Sequence, residues 1–143
     1  MRSSVAGLAG LLLLLAACGT SGSAESSAPP ASAAPVAVEL PDTPVGRQLA
    51  WVLEVINAKR TLSDAELRLH FDDRLMEERN RVANVRRAFA TMSIVAPLVP
   101  TELERTPNSL VARAQGNGGA VRITVTVERK SGRISGVSFL PVQ

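Results

Sequence analysis

Ala120-Val121-Arg122-Ile123-Thr124-Val125-Thr126-Val127-Glu128-Arg129 is the stretch on which the fold turns. Val121, Ile123, Val125 and Val127 take every second position, and Arg122, Thr124, Thr126 and Glu128 stand between them. Successive side chains of an extended chain point to opposite faces, so this alternation predicts a strand with one face in a core and one in water. A half-wet strand belongs to an antiparallel sheet, because parallel sheets are covered on both sides. Turn residues flank it, Gly116-Asn117-Gly118-Gly119 before and Lys130-Ser131-Gly132-Arg133 after. Beyond those turns, Ser109 to Gln115 reads as a short strand. Ile134 to Val142 reads as the last one, with Val137 and Phe139 on its inner face. Further upstream, Ile94 to Arg105 is extended. Pro97 and Pro100 cannot donate to a ladder and restrict this stretch to an edge or irregular strand.

Before Met92 the period is helical. Thr43 is placed to cap a first helix with Pro44 at its first position. Val45, Leu49, Val52, Leu53 and Ile56 then form one apolar stripe, with Trp51 beside it, and Lys59-Arg60 puts positive charge at the C-terminal end. Ser63-Asp64-Ala65-Glu66 is a capping box, and Leu62 and Leu67 stand where a hydrophobic staple requires them; this second helix runs to about His70. Asp72 is placed to cap a third helix running through Leu75, Val82, Val85 and Phe89. Glu77, Glu78, Arg79, Arg81, Arg86 and Arg87 make its other faces solvated. Helices followed by antiparallel strands predict an α+β domain over residues 42–143, with N-terminal helices packed on one face of a curved sheet of about four strands.

The N-terminal part has a different character. Met1-Arg2 is a short positive start, and Val5 to Ala17 is an apolar run of about 13 residues, short of the ~20 that span a bilayer. It ends in Leu15-Ala16-Ala17-Cys18-Gly19, which resembles a bacterial lipobox: a branched residue, two small residues for a narrow peptidase cleft, and a cysteine whose thiolate takes the lipid. Residues 1–17 are thus expected to be a lipoprotein signal peptide, and Cys18 the lipidated residue. More than one acyl chain gives stable anchoring, so the expected location is the extracytoplasmic face of a cell membrane. Residues 18–41, rich in Ser, Ala and Pro, are expected to be a disordered tether reaching about 25 Å.

Composition narrows the function classes. A net charge of +3 is too small for a nucleic-acid protein, and 3% aromatic residues leave few stacking platforms. One cysteine excludes an internal disulfide. One histidine would leave a metal site resting on carboxylates, so neither metal nor cofactor is expected.

Thr43-Pro44-Val45-Gly46-Arg47-Gln48-Leu49, Trp51-Val52-Leu53, Leu62-Ser63-Asp64-Ala65-Glu66-Leu67 and His70-Phe71 together resemble the N-terminal domain of the Cpe/LpqF family of β-lactamase-related proteins. The resemblance covers nearly all of residues 42–143. It implies an NTF2-like or cystatin-like cone that normally precedes a serine β-lactamase-like domain. Here the sequence ends at Gln143, and no serine has a lysine three residues on. Lys130-Ser131-Gly132 imitates the Lys-Thr-Gly element of that class but sits at an expected turn. The resemblance therefore implies an accessory module standing alone.

Candidate chemistry is sparse. Trp51, His70, Asp72 and Phe89 are the residues that would line a pocket in such a cone. The alternative to a binding module is a small isomerase or hydrolase using His70 with Asp72 or Asp73. The tyrosine acid usual in such cones is lacking, since the chain has no tyrosine. The leading expectation is a non-catalytic module that binds an envelope protein or a small apolar ligand, with the membrane as its other partner through the lipid.

Overall fold

Thr43 opens the first helix as its position predicts: its side chain accepts the Gly46 N–H, and Pro44 follows at the first helical position. The structure, a computed structural model, describes residues 34–143. The expected signal peptide, Cys18 and most of the expected tether lie outside the described residues. The helices are α1 (Pro44–Asn57), α2 (Asp64–His70), α3 (Asp73–Glu77) and α4 (Arg79–Met92), followed by β1 (Val99–Arg105), β2 (Ser109–Gly116), β3 (Gly119–Val127) and β4 (Ile134–Pro141). Among the described residues no helix is long and apolar enough to cross a membrane.

The strands form one antiparallel sheet in the order β1-β2-β3-β4, so each strand pairs with its neighbour in sequence. In β3 the alternation resolves as expected. Val121, Ile123, Val125 and Val127 are buried, and Arg122 is exposed. Across the sheet Ile123 lies between Ala112 and Phe139, and Val125 between Leu110 and Val137. α1 covers this face over β2 and β3, while α4 packs on β4. Leu49, Val52, Val55 and Ile56 of α1 are fully buried. Burial of each such side chain contributes about 1.5–3 kcal/mol, and this contact holds the two layers together.

Ser63 and Glu66 form the capping box in both directions: Glu66 accepts from the Ser63 N–H at 3.0 Å, and the Ser63 hydroxyl accepts the Glu66 N–H at 3.2 Å. Arg60 adds an ion pair, and together these groups lower the Glu66 pKa to about 2, the Ser63 N–H being the largest cause.

Three expectations are corrected. The single third helix is two, broken at Glu78, whose backbone is extended (φ −96°, ψ 97°). Neither proline nor glycine marks the break. It separates α3, whose leading end is tied to β4 by the Asp72 N–H bond to Ile134 O, from α4, which lays Val85 and Phe89 on the sheet. The first strand begins at Val99 and not at Ile94, because Ile94 and Val95 close turns onto Thr91 O and Met92 O; the Ala96–Pro97 peptide that follows is cis. The strand is an edge strand, with a bulge between Pro100 and Glu102, the placement to which Pro100 restricts it. The domain also starts earlier than residue 42. The Val38 N–H bonds Pro100 O at 2.9 Å and Leu40 packs on the core, so the last residues of the expected tether form a strap along β1.

Candidate functional site

Trp51 and His70 come from two helices that the sequence separates by a turn. Trp51 sits on α1 next to the buried stripe, and His70 ends α2. The structure stacks their rings face to face, with centroids 3.8 Å apart and planes within 9°. Phe71 meets the indole edge-on at 5.9 Å and Phe89 meets it at 5.9 Å in a tilted pose. Phe139 closes the group against Phe89 at 5.6 Å. The chain has one tryptophan, three phenylalanines and no tyrosine, so this cluster gathers all of its phenyl and indole rings beside its one histidine. Phe71 and Phe89 are buried, whereas Trp51, His70 and Phe139 are half-buried.

The hydrogen bonds of His70 are ordered by its neighbour. Gln48 Nε2 donates to the Gly132 carbonyl at 3.1 Å, and a carbonyl can only accept. That fixes the Gln48 amide with Oε1 toward His70, 3.0 Å from Nδ1. Nδ1 therefore donates, and in the neutral ring Nε2 is left as an acceptor. Burial lowers the His70 pKa; the Glu66 and Glu54 carboxylates oppose that shift, and Arg60 adds to it. The site thus stacks an indole on an imidazole whose Nδ1 is engaged by Gln48 and whose Nε2 has no hydrogen-bond partner among the described residues. That arrangement suits an apolar body carrying one donor.

Of the four expected pocket residues, the structure brings three together. Asp72 goes elsewhere: its Oδ1 accepts the Leu75 N–H at 2.9 Å and caps α3. Asp73 forms a two-pronged ion pair with Arg133 at 2.8 and 3.0 Å, which lowers its pKa. The expected alternative of His70 paired with Asp72 or Asp73 is therefore corrected. A glutamine orients the ring where a carboxylate was expected, and an amide gives an imidazolium no counter-charge. Phe89 belongs to the core. Its edge reaches a shallow groove of about 210 Å³ whose other walls include Arg60, Leu62 and Arg86, so it does not share an open cavity wall with Asp72. Among the described residues no group of three or more His, Cys, Asp or Glu could hold a metal ion.

Gln48 and Gly132 were not expected at the site. Residues 48 and 51 stand three apart on α1 and share a face, a signal the sequence does hold. The contact of Gln48 with a turn 84 residues away is visible only in the fold. Lys130-Ser131-Gly132 is a turn here: Glu128 accepts the Lys130 and Ser131 N–H groups at 2.8 and 2.7 Å, and Gly132 takes a positive φ of 67°.

These features define an α+β domain of helices on one face of a four-stranded antiparallel meander, with an aromatic cluster under its hairpin. The chain belongs to the ORF 12 gene product N-terminal family, whose model matches residues 40–134. No curated protein matches the chain.

Proposed function

We propose that this chain is a membrane-anchored extracytoplasmic lipoprotein whose folded part is a non-catalytic binding module, of the accessory type that the Cpe/LpqF resemblance implies. The anchor rests on Leu15-Ala16-Ala17-Cys18 at the end of a short apolar run. Binding is favoured over chemistry by one observation: His70, the one imidazole, is oriented by the Gln48 amide. Asp72, Asp73 and Glu66, the acids nearest in sequence, serve a helix cap, an ion pair and a capping box. The ligand class the cluster suits is an envelope protein side chain or a small apolar molecule.

Replacing Cys18 by Ala tests the anchor. The native protein is expected in the detergent phase after phase separation, and Cys18→Ala in the aqueous phase. Continued membrane retention of a processed Cys18→Ala form overturns the anchor. Turnover of a chromogenic β-lactam or an activated ester, lost in His70→Gln, overturns the non-catalytic half.

A further inference from the structure

The two edges of the sheet are built differently. β1 carries Pro100, a bulge, the charges Glu102, Glu104 and Arg105, and the Val38 strap. These are the devices by which soluble proteins prevent a sheet edge from pairing with another chain. β4, the other edge, has no charged residue from Ile134 to its end at Pro141. Among the described residues only its beginning is covered, where Phe71 bridges Ile134 and the Asp72 N–H bonds Ile134 O. The bulge that takes up Ser135, opposite Thr126 and Val127, lies at that same covered end.

The ladder shows which groups stay open. The Val142 N–H bonds Ala120 O, and backbone groups alternate sides along an antiparallel strand. Leu140, Ser138 and Gly136 therefore turn their N–H and C=O groups toward β3. Val137 and Phe139 turn theirs away from the sheet. Pro141 has no N–H, so the open stretch is bounded at both ends and centred on Ser138.

We infer that β4 pairs with β4 of a second copy, antiparallel about a twofold axis at Ser138, joining the two sheets into one of eight strands. In that register Val137 of each copy faces Phe139 of the other, and the outward groups of both form four backbone hydrogen bonds. Leu140, 55% exposed in the single copy, lies over Gly136 of the other, where there is no side chain to meet it. Phe139 of the second copy, beside Val137, reaches the mouth of a groove of about 320 Å³ whose apolar walls are Leu75, Val85, Ala88 and Val137, with Arg81 and Asn84 at its polar side. A twofold axis sets each strand against itself, so any charge on it would meet its like; this edge has none. A neutral edge gives no selection for an oppositely charged partner strand, and this favours the second copy as occupant.

The test uses the full chain. Ser138 would face Ser138 as a non-hydrogen-bonded pair with Cα atoms about 4.5 Å apart, within disulfide range. Ser138→Cys, made in the Cys18→Ala background, is expected to give a covalent dimer on mild oxidation. Ser109→Cys, on an inner strand, is expected to give none. Without oxidation, sedimentation of the Cys18→Ala chain is expected to show a concentration-dependent dimer. Ser138→Lys, an exposed substitution that sets two ammonium groups face to face, is expected to shift that dimer to monomer with the circular dichroism spectrum unchanged. A monomer at every concentration, a dimer that survives Ser138→Lys, or equal cross-linking at Ser109 and Ser138 each overturns the assignment.

Discussion

Gly46 lies inside α1 and is buried, and propensity alone would put alanine there. Alanine is favoured over glycine in a helix by about 1 kcal/mol. A Cβ at residue 46, however, would collide with the Pro41 carbonyl oxygen. The strap that runs along β1 thus passes directly over this residue, and glycine is the residue that lets it pass. Gly46→Ala is expected to destabilise the domain by about 1–3 kcal/mol, as overpacking does, in urea unfolding. A gain in stability would show that the strap yields freely. His70 offers a second test at this scale. Burial lowers its folded pKa below 6.5, so between the two values the unfolded chain binds more protons than the native one. Its contribution is present above about pH 6.5 and is lost as pH falls through the folded value. The urea midpoint of the native protein is expected to fall over that window, and His70→Gln, which can still donate to Gln48, is expected to flatten the fall. Parallel profiles for the two proteins would refute the assignment.

At the scale of elements, side chains tie segments that no periodicity links. Asn57, the last residue of α1, receives the Leu98 N–H at 2.7 Å and donates to Leu98 O at 3.0 Å. It acts as one more rung for a stretch that has no strand partner there, just before β1. Leu98 is 1% exposed, so its backbone groups have little access to water. Asn57→Ala is expected to cost about 1–3 kcal/mol in chemical denaturation and to accelerate hydrogen exchange at the Leu98 amide. Unchanged exchange would show that water replaces the side chain. The tip of the β2–β3 hairpin is docked similarly: Asn117 donates from its backbone to Val95 O at 2.9 Å and from its side chain to Ala96 O at 2.6 Å. The Lys130–Arg133 turn is held by Gln48, Asp73 and the Arg68 carbonyl. The β2–β3 and β3–β4 loops are thus anchored on the helices or on the segment that follows them, whereas the β1–β2 loop bonds through Asn108 to Val127 and Arg129.

At the scale of the whole molecule, the sheet has one face under helices and one face in water. The wet face carries Arg113 and Arg122 beside Glu102 and Glu104, the mixed polar surface expected of such a sheet. On the covered face, the aromatic cluster spans α1, α4, β4 and the link between α2 and α3, so it joins the helical layer to the outermost strand. The guarded β1 edge and the neutral β4 edge make the molecule directional. Growth of the sheet is blocked on one side and left open on the other, and a twofold axis is the arrangement that closes such an opening.

The amino-acid sequence by itself determined the fold class, both hairpin turns, the starts of α1, α2 and α3, and the inner face of β3. These features depend on local rules: a cap bonds within three residues, and a strand alternates by two. The break at Glu78 was not legible, because residues on both sides keep one helical stripe and only the separate docking of α3 and α4 parts them. The candidate site was legible in part. Trp51, His70 and Phe89 stood out by residue type, but type alone also nominated Asp72, whose capping position fits its observed role equally well. Gln48 as the orienting group, the Gly132 carbonyl behind it, the strap over Gly46 and the open edge of β4 were decided by tertiary structure alone. The Gln48 contacts span 22 and 84 residues, and the chain carries no periodic signal for contacts that only close packing creates.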